Sequence, residues 1–268
     1  MLYGEDVPVA KEVGAVIAAT RILRFLATHR RPAGVTEVAR SLALNPSTCF
    51  NILRTLAAEG LVAFDPAAKT YSPGLGLAEL AASALDGVGA VRVVRPHLEA
   101  LADSFGVTMT LWLRAGPDRV VLVDRAEGSA MVRIHMNIGQ RLPLLIGALG
   151  RCMAAHAGLP EEELARRYAL LRSDALPPFA TFLRQVAQAR RDGYAADVNN
   201  FVSGITTVSA AVRDGAGQPV MAISAVDLTA RLGRATTRRL GAALAAAAEE
   251  VGRALGARPT GAAILPAA

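Results

Sequence analysis

Between residues 14 and 73, three apolar stripes of helical period follow one another with almost no connecting chain, and this constrains the fold more than any other feature. Ala19, Ile22, Leu23 and Leu26 stand at i, i+3, i+4 and i+7, one face of a first helix. Arg30-Arg31-Pro32-Ala33-Gly34 breaks it. Thr36 is placed to cap a short second helix whose Val38, Ala39 and Leu42 turn inward. After Ala43-Leu44, Asn45 offers a side-chain cap, and Pro46 fits the first helical position, where no intrahelical N–H bond is lost. Cys49, Ile52, Leu53 and Leu56 repeat the same spacing on a third helix, closed by Glu59-Gly60. Residues 61–64 and 70–72 read as two short strands around the turn-rich Asp65-Pro66-Ala67-Ala68-Lys69. Two helices joined by a tight turn and followed by a hairpin make a winged helix-turn-helix, predicted here for residues 1–73.

The other face of the third helix carries Ser47, Phe50, Asn51 and Arg54 at helical spacing, with Thr48 and Thr55 beside them. Such side chains reach base edges or phosphates once a helix enters a major groove. There Asn pairs with adenine and Arg with guanine. Phe50 has no core to fill from that side. Lys69, on the hairpin, is expected to meet phosphate. Charge agrees with an anionic partner. Within residues 14–73, Arg21, Arg24, Arg30, Arg31, Arg40, Arg54 and Lys69 outweigh Glu37, Glu59 and Asp65.

Residues 75–105 keep a helical pattern, interrupted near Asp86-Gly87-Val88-Gly89. Leu77, Leu80, Ala81 and Ala84 form one face, and Val91, Val94, Leu98, Leu101 and Ala102 another. Residues 74–92 therefore read as a connector too apolar for a loose linker, expected to pack on a partner subunit. Beyond it, strands at 107–113, 120–124, 131–135, 194–197, 206–213 and 220–226 alternate with helices near 147–157, 161–170, 178–192 and 234–255. That pattern predicts an α+β domain over 93–268, an antiparallel sheet flanked by helices.

An enzyme needs a constellation that the chain does not offer. His29, His97, His135 and His156 are scattered, and Cys49 and Cys152 occupy apolar helix positions, so no metal or cofactor is expected. Gly-x-Ser-x-Gly is absent, and Gly74-Leu75-Gly76 lacks the context of a dinucleotide loop. No apolar run reaches a membrane span, and the first ten residues lack a secretory pattern, so no membrane partner and a cytoplasmic location are expected. The competing reading is a ligand-sensing or protein-interaction module without DNA binding.

Over residues 14–256 the chain resembles the IclR family of bacterial transcriptional regulators. The resemblance is carried by Asn45-Pro46-Ser47-Thr48, Ile52-Leu53, Leu56 and Gly60, then by Asp65 to Tyr71 in the wing. It continues through Gly139-Gln140-Arg141-Leu142-Pro143-Leu144, Ala148-Leu149-Gly150, Arg190-Arg191-Asp192-Gly193-Tyr194-Ala195, Ser203-Gly204 and Val212-Arg213-Asp214. It implies a DNA-binding domain joined to a GAF-like effector-binding domain over 93–268. It also implies homodimers, often paired into homotetramers, on a double-stranded operator.

The resemblance further implies a small-molecule effector site. Gly147 and Ala148 would offer main-chain N–H groups to a carboxylate at a helix start, which suits an anion physically. Asp197, Thr207 and Ser224 would face it, and Met131, Ile134 and Leu145 would wall it. Asn51 stands where the family commonly has Arg, so its operator preference is not inherited. Leu145, Asn200, Ala211 and Val226 also depart from the common residues. They imply a more apolar pocket, for a larger acid with an aromatic or aliphatic body.

Overall fold

The computed structural model describes residues 13–29, 31–80, 89–172 and 176–256. The chain divides into two compact units, Met1–Gly87 and Val88–Ala268.

The first unit holds α1 (Gly14–Thr28), α2 (Val35–Leu42), α3 (Pro46–Ala58), β1 (Val62–Asp65) and β2 (Thr70–Pro73). Its core is Ile22 and Leu26 from α1, Val38 and Ala39 from α2, and Cys49, Leu53 and Leu56 from α3. Ile52 is only half-buried. The second helix starts two residues earlier than a cap at Thr36 would place it. Gly34 is its N-cap, no side chain caps it, and Thr36 lies inside the first turn. Ala43 ends α2 in the left-handed region at φ 51°, which leaves three residues between the helices. Asn45 caps α3 as its residue type predicts, its side chain accepting the Ser47 N–H at 3.0 Å. β1 and β2 pair antiparallel, Asp65 opposite Thr70. The Asp65 carboxylate accepts the N–H groups of Ala67 and Ala68, which shapes the tip. Gly74 has a packing reason: a Cβ there would lie 2.3 Å from the Gly60 carbonyl oxygen. Residues 76–80 are helical, and the predicted break around residues 86–88 lies outside the described residues.

The second unit begins with α4 (Ala90–Phe105). Its Val94, Leu98 and Ala102 are buried in this unit's own core. The apolar face of residues 91–102 is therefore covered within the chain, and residues 90–92 belong to the helix. A six-stranded sheet follows in the order β5-β4-β3-β8-β7-β6, every pair antiparallel. Its strands are β3 (Thr108–Arg114), β4 (Arg119–Glu127), β5 (Arg141–Pro143), β6 (Ala195–Val198), β7 (Ile205–Arg213) and β8 (Pro219–Leu228). The strand expected at 131–135 does not form. That segment is irregular, and the sheet edge is Arg141–Pro143 instead.

Helices cover both sheet faces, so β7 and β8 are buried almost end to end, as central strands with near-continuous apolar runs must be. One face packs on α4 and α8 (Arg234–Gly256), whose Leu240, Leu244, Ala248 and Val251 form its stripe. The other packs on α5 (Gly147–His156), α6 (Glu161–Ala169) and α7 (Phe179–Asp192). Register sets two side-chain rows across this second face. One runs Glu127, Thr108, Val226, Thr207, Asp197; the next runs Arg125, Thr110, Ser224, Ser209, Ala195.

Candidate functional site

On α3 the two faces separate as the spacing predicts. Cys49, Leu53 and Leu56 are buried, while Ser47, Thr48, Phe50, Asn51, Arg54 and Thr55 are exposed. Phe50 leaves 42% of its surface in solvent, and the Arg54 guanidinium lies over its ring, 5.8 Å from the centroid. That pairing at i, i+4 steadies a long side chain that would otherwise be disordered by its own rotamers. Ser47 is engaged locally, its hydroxyl donating to the Asn45 Oδ1 at 2.7 Å. Its main contribution is thus to the helix start. Lys69 is exposed in the hairpin turn in the left-handed region, φ 53°. The helix thus presents an exposed polar ridge bearing one cation and one amide, the donor and acceptor set that base edges require.

In the second unit α5 starts at Gly147, with φ 59° there and no side-chain cap from Ile146. Its first N–H groups therefore have no intrahelical acceptor and carry the positive end of the helix dipole. Gly147, Arg151, Asp197, Leu145 and Phe201 line a cavity of about 10 Å³ there, room for about one water molecule. The Phe201 ring lies 3.9 Å from where a Cβ on Gly147 would stand. The start of the helix is thus closely packed as folded, with little free space against it. A much larger open cleft, about 590 Å³, lies between the β3–β4 turn and the end of α6, sharing Leu145 but none of the polar sheet-face residues.

Asp197 is 3% exposed and its carboxylate is already engaged. Oδ2 accepts from Arg151 Nη2 at 2.7 Å, and Oδ1 accepts the Phe201 N–H at 3.0 Å. Arg151, equally buried, also donates to Gln185 Oε1 at 2.8 Å and to the Ala196 carbonyl at 3.1 Å. Sequence reasoning missed both Arg151 and Phe201. The signal for Arg151 was available, since it lies four residues after Gly147 on the same helix face. Ser224 is buried, its hydroxyl accepting from Ser209 at 2.8 Å, and Thr207 is half-buried. The proposed walls behave differently from one another. Leu145 is buried and Ile134 half-buried, but Met131 is 98% exposed and walls nothing in this conformation, because its segment never joins the sheet.

Neither thiol is set up for chemistry. Burial pushes Cys152 up to about 12, and burial raises Cys49 as well. Among the described residues no three His, Cys, Asp or Glu side chains gather as a metal site, and no helix is long and apolar enough to cross a membrane.

Comparison with known proteins agrees with this geometry. Residues 15–66 match the IclR helix-turn-helix domain, and residues 82–253 match the bacterial transcriptional regulator IclR C-terminal domain. The HTH-type transcriptional repressor AllR of Salmonella paratyphi A is 29% identical over 265 residues, covering 96% of this chain and 95% of the repressor. AllR of Escherichia coli K12 is 29% identical over 238 residues, covering 85% and 86%. An IclR transcriptional regulator from Alicyclobacillus acidocaldarius superposes with a TM-score of 0.81 at 29% identity, over 92% of this chain and 100% of its own. An IclR homologue from Microbacterium hydrocarbonoxydans, solved with 4-hydroxybenzoate, shares the fold with a TM-score of 0.75 at 21% identity, over 90% and 99%. These matches span both units in chain order. The chain belongs to the IclR family of bacterial transcriptional regulators: it is a ligand-responsive DNA-binding regulator with a winged helix-turn-helix and a GAF-like effector domain, and not an enzyme.

Proposed function

We propose that this regulator reads its operator through Thr48, Phe50, Asn51 and Arg54 of α3, with Ser47 ordering the helix start and Lys69 of the wing holding phosphate. The observation that carries this reading is the exposed polar ridge of α3 opposite a fully buried apolar face. It acts in the cytoplasm as a homodimer, the state in which two recognition helices meet two half-sites. Val13, Val16 and Ile17 support this: they leave an apolar stripe exposed along the start of α1. Sedimentation of Ile17→Glu should then shift the dimer towards monomer.

The test is an anisotropy titration on the chain's own upstream intergenic DNA. Arg54→Ala should weaken operator binding by about 1–3 kcal/mol and relax preference at one position. Lys69→Ala should weaken operator and scrambled DNA alike and lower the salt slope by about one phosphate's worth, ~0.9. Unchanged discrimination in Arg54→Ala removes its base-reading role.

The effector in this reading is a small carboxylic acid whose head group meets the N–H groups of Gly147 and Ala148. Thr207 and Ser224 lie on the sheet face beside it, and Ile134 and Leu145 supply apolar contact. Asp197 acts through Arg151. The aromatic acid bound by the Microbacterium homologue makes 4-hydroxybenzoate, benzoate and glyoxylate a suitable first panel. Because the cavity holds no more than a water, binding displaces Phe201 from the helix start.

A further inference from the structure

Thr108 is 2% exposed, and its hydroxyl has no hydrogen-bond partner. Among the described residues, His29 Nε2 in the first unit is the one other buried side-chain atom in this position. Native structures leave few such groups, and each calls for an explanation. Its fully buried polar neighbours on the same sheet face, Thr110, Ser209, Ser224 and Asp197, are paired. Thr110 donates to the Ser224 carbonyl at 3.0 Å and accepts from Trp112 Nε1 at 3.0 Å. Ser209 donates to Ser224, and Asp197 is held by Arg151 and Phe201.

Register puts Thr108 in one row with Val226, Thr207 and Asp197, so its side chain shares their face. Two strand spacings, about 10 Å, separate it from Thr207. Asp197 stands one strand further along the row, and its partner Arg151 lies on α5, so this row leads from Thr108 to the start of that helix. Near this end of the sheet, Arg125 donates to the Met136 carbonyl and Arg231 to the Val132 carbonyl, fixing the irregular segment from which Ile134 and Met136 turn inward.

We propose that Thr108 is a ligand-contacting residue: its hydroxyl receives a second oxygen of the effector, a hydroxyl or carbonyl, while the carboxylate sits at the start of α5. This rests on the effector reading above and makes it more specific. The effector is an acid with an oxygen function at its far end.

The test is Thr108→Val in the full chain, which exchanges the hydroxyl for a methyl of similar size. Removing an unpaired buried hydroxyl leaves the melting temperature of the ligand-free protein unchanged or raised. Calorimetry should show affinity for 4-hydroxybenzoate falling about tenfold or more, while benzoate, which lacks the second oxygen, changes less than about twofold. Thr108→Ser keeps the hydroxyl and should bind 4-hydroxybenzoate within about threefold of the unaltered chain. A clear fall in ligand-free melting temperature for Thr108→Val overturns the proposal, since the hydroxyl then has a structural partner. Unchanged 4-hydroxybenzoate affinity overturns it too, as do equal losses for both acids. An unaltered chain that binds neither acid overturns the effector reading and this inference together.

Discussion

Replacing Arg151 with methionine should destabilise the second unit by about 3–5 kcal/mol, because it leaves the Asp197 carboxylate buried without its counter-charge. The pair is 2.7 Å apart, and each side chain is almost wholly removed from water. Surface ion pairs contribute little, but here no solvent replaces the lost partner. The double variant Arg151→Met with Asp197→Asn should recover at least half of that loss, roughly 2 kcal/mol, since the asparagine carries no charge to strand. Its Oδ1 still accepts the Phe201 N–H. Urea unfolding followed by Trp112 fluorescence checks both, Trp112 being the chain's one tryptophan and buried in this unit. A single variant within about 1 kcal/mol of the original, or a double variant no better than the single, would show that the pair is not what holds this corner. The same experiment bears on control. Arg151 also lines the cavity at the start of α5, so the single variant should change how the chain responds to the acid panel.

The second large effect is expected in the first unit. Leu53→Ala removes a fully buried side chain from the centre of a core built from three short helices and a hairpin. The expected cost is about 2–5 kcal/mol, the range for such truncations in cores that cannot collapse. A unit this small has little stability in reserve, so operator affinity should fall with it. The unaltered second unit should still unfold at its original urea midpoint, as read by Trp112. A shift of that midpoint by as much as the first unit's would mean that the two do not unfold separately.

Different parts of this molecule were legible to different degrees. The recognition helix was read almost residue for residue. Its period, its Asn45 cap and its proline start are properties of adjacent residues, and burial of Cys49, Leu53 and Leu56 follows from them. The pairing of β7 with β8 was legible too, since both carry long apolar runs around an Asp214-Gly215-Ala216-Gly217 turn. The error at 131–135 has a clear cause. Met131 and Val132 have strand-forming character, but strand propensity becomes a strand only when a neighbour supplies hydrogen bonds, and β4 supplies them to Arg141–Pro143. The cover of the stripe over residues 91–102 was not legible, for a related reason. An apolar stripe says that a face must be covered, and not whether the cover is a partner or the same chain.

Local spacing and turn chemistry were therefore enough to establish the winged helix-turn-helix and the polar ridge it shows to solvent. Asp197 as the counter-charge of Arg151, Phe201 closed over Gly147, and Thr108 in a row with Thr207 all depended on the folded chain. Arg151 and Asp197 are 46 residues apart, and Thr110 bonds to a carbonyl 114 residues away. Contacts of that separation arise from strand order and register. These are settled by how whole faces are buried, a balance to which no short stretch of residues bears witness.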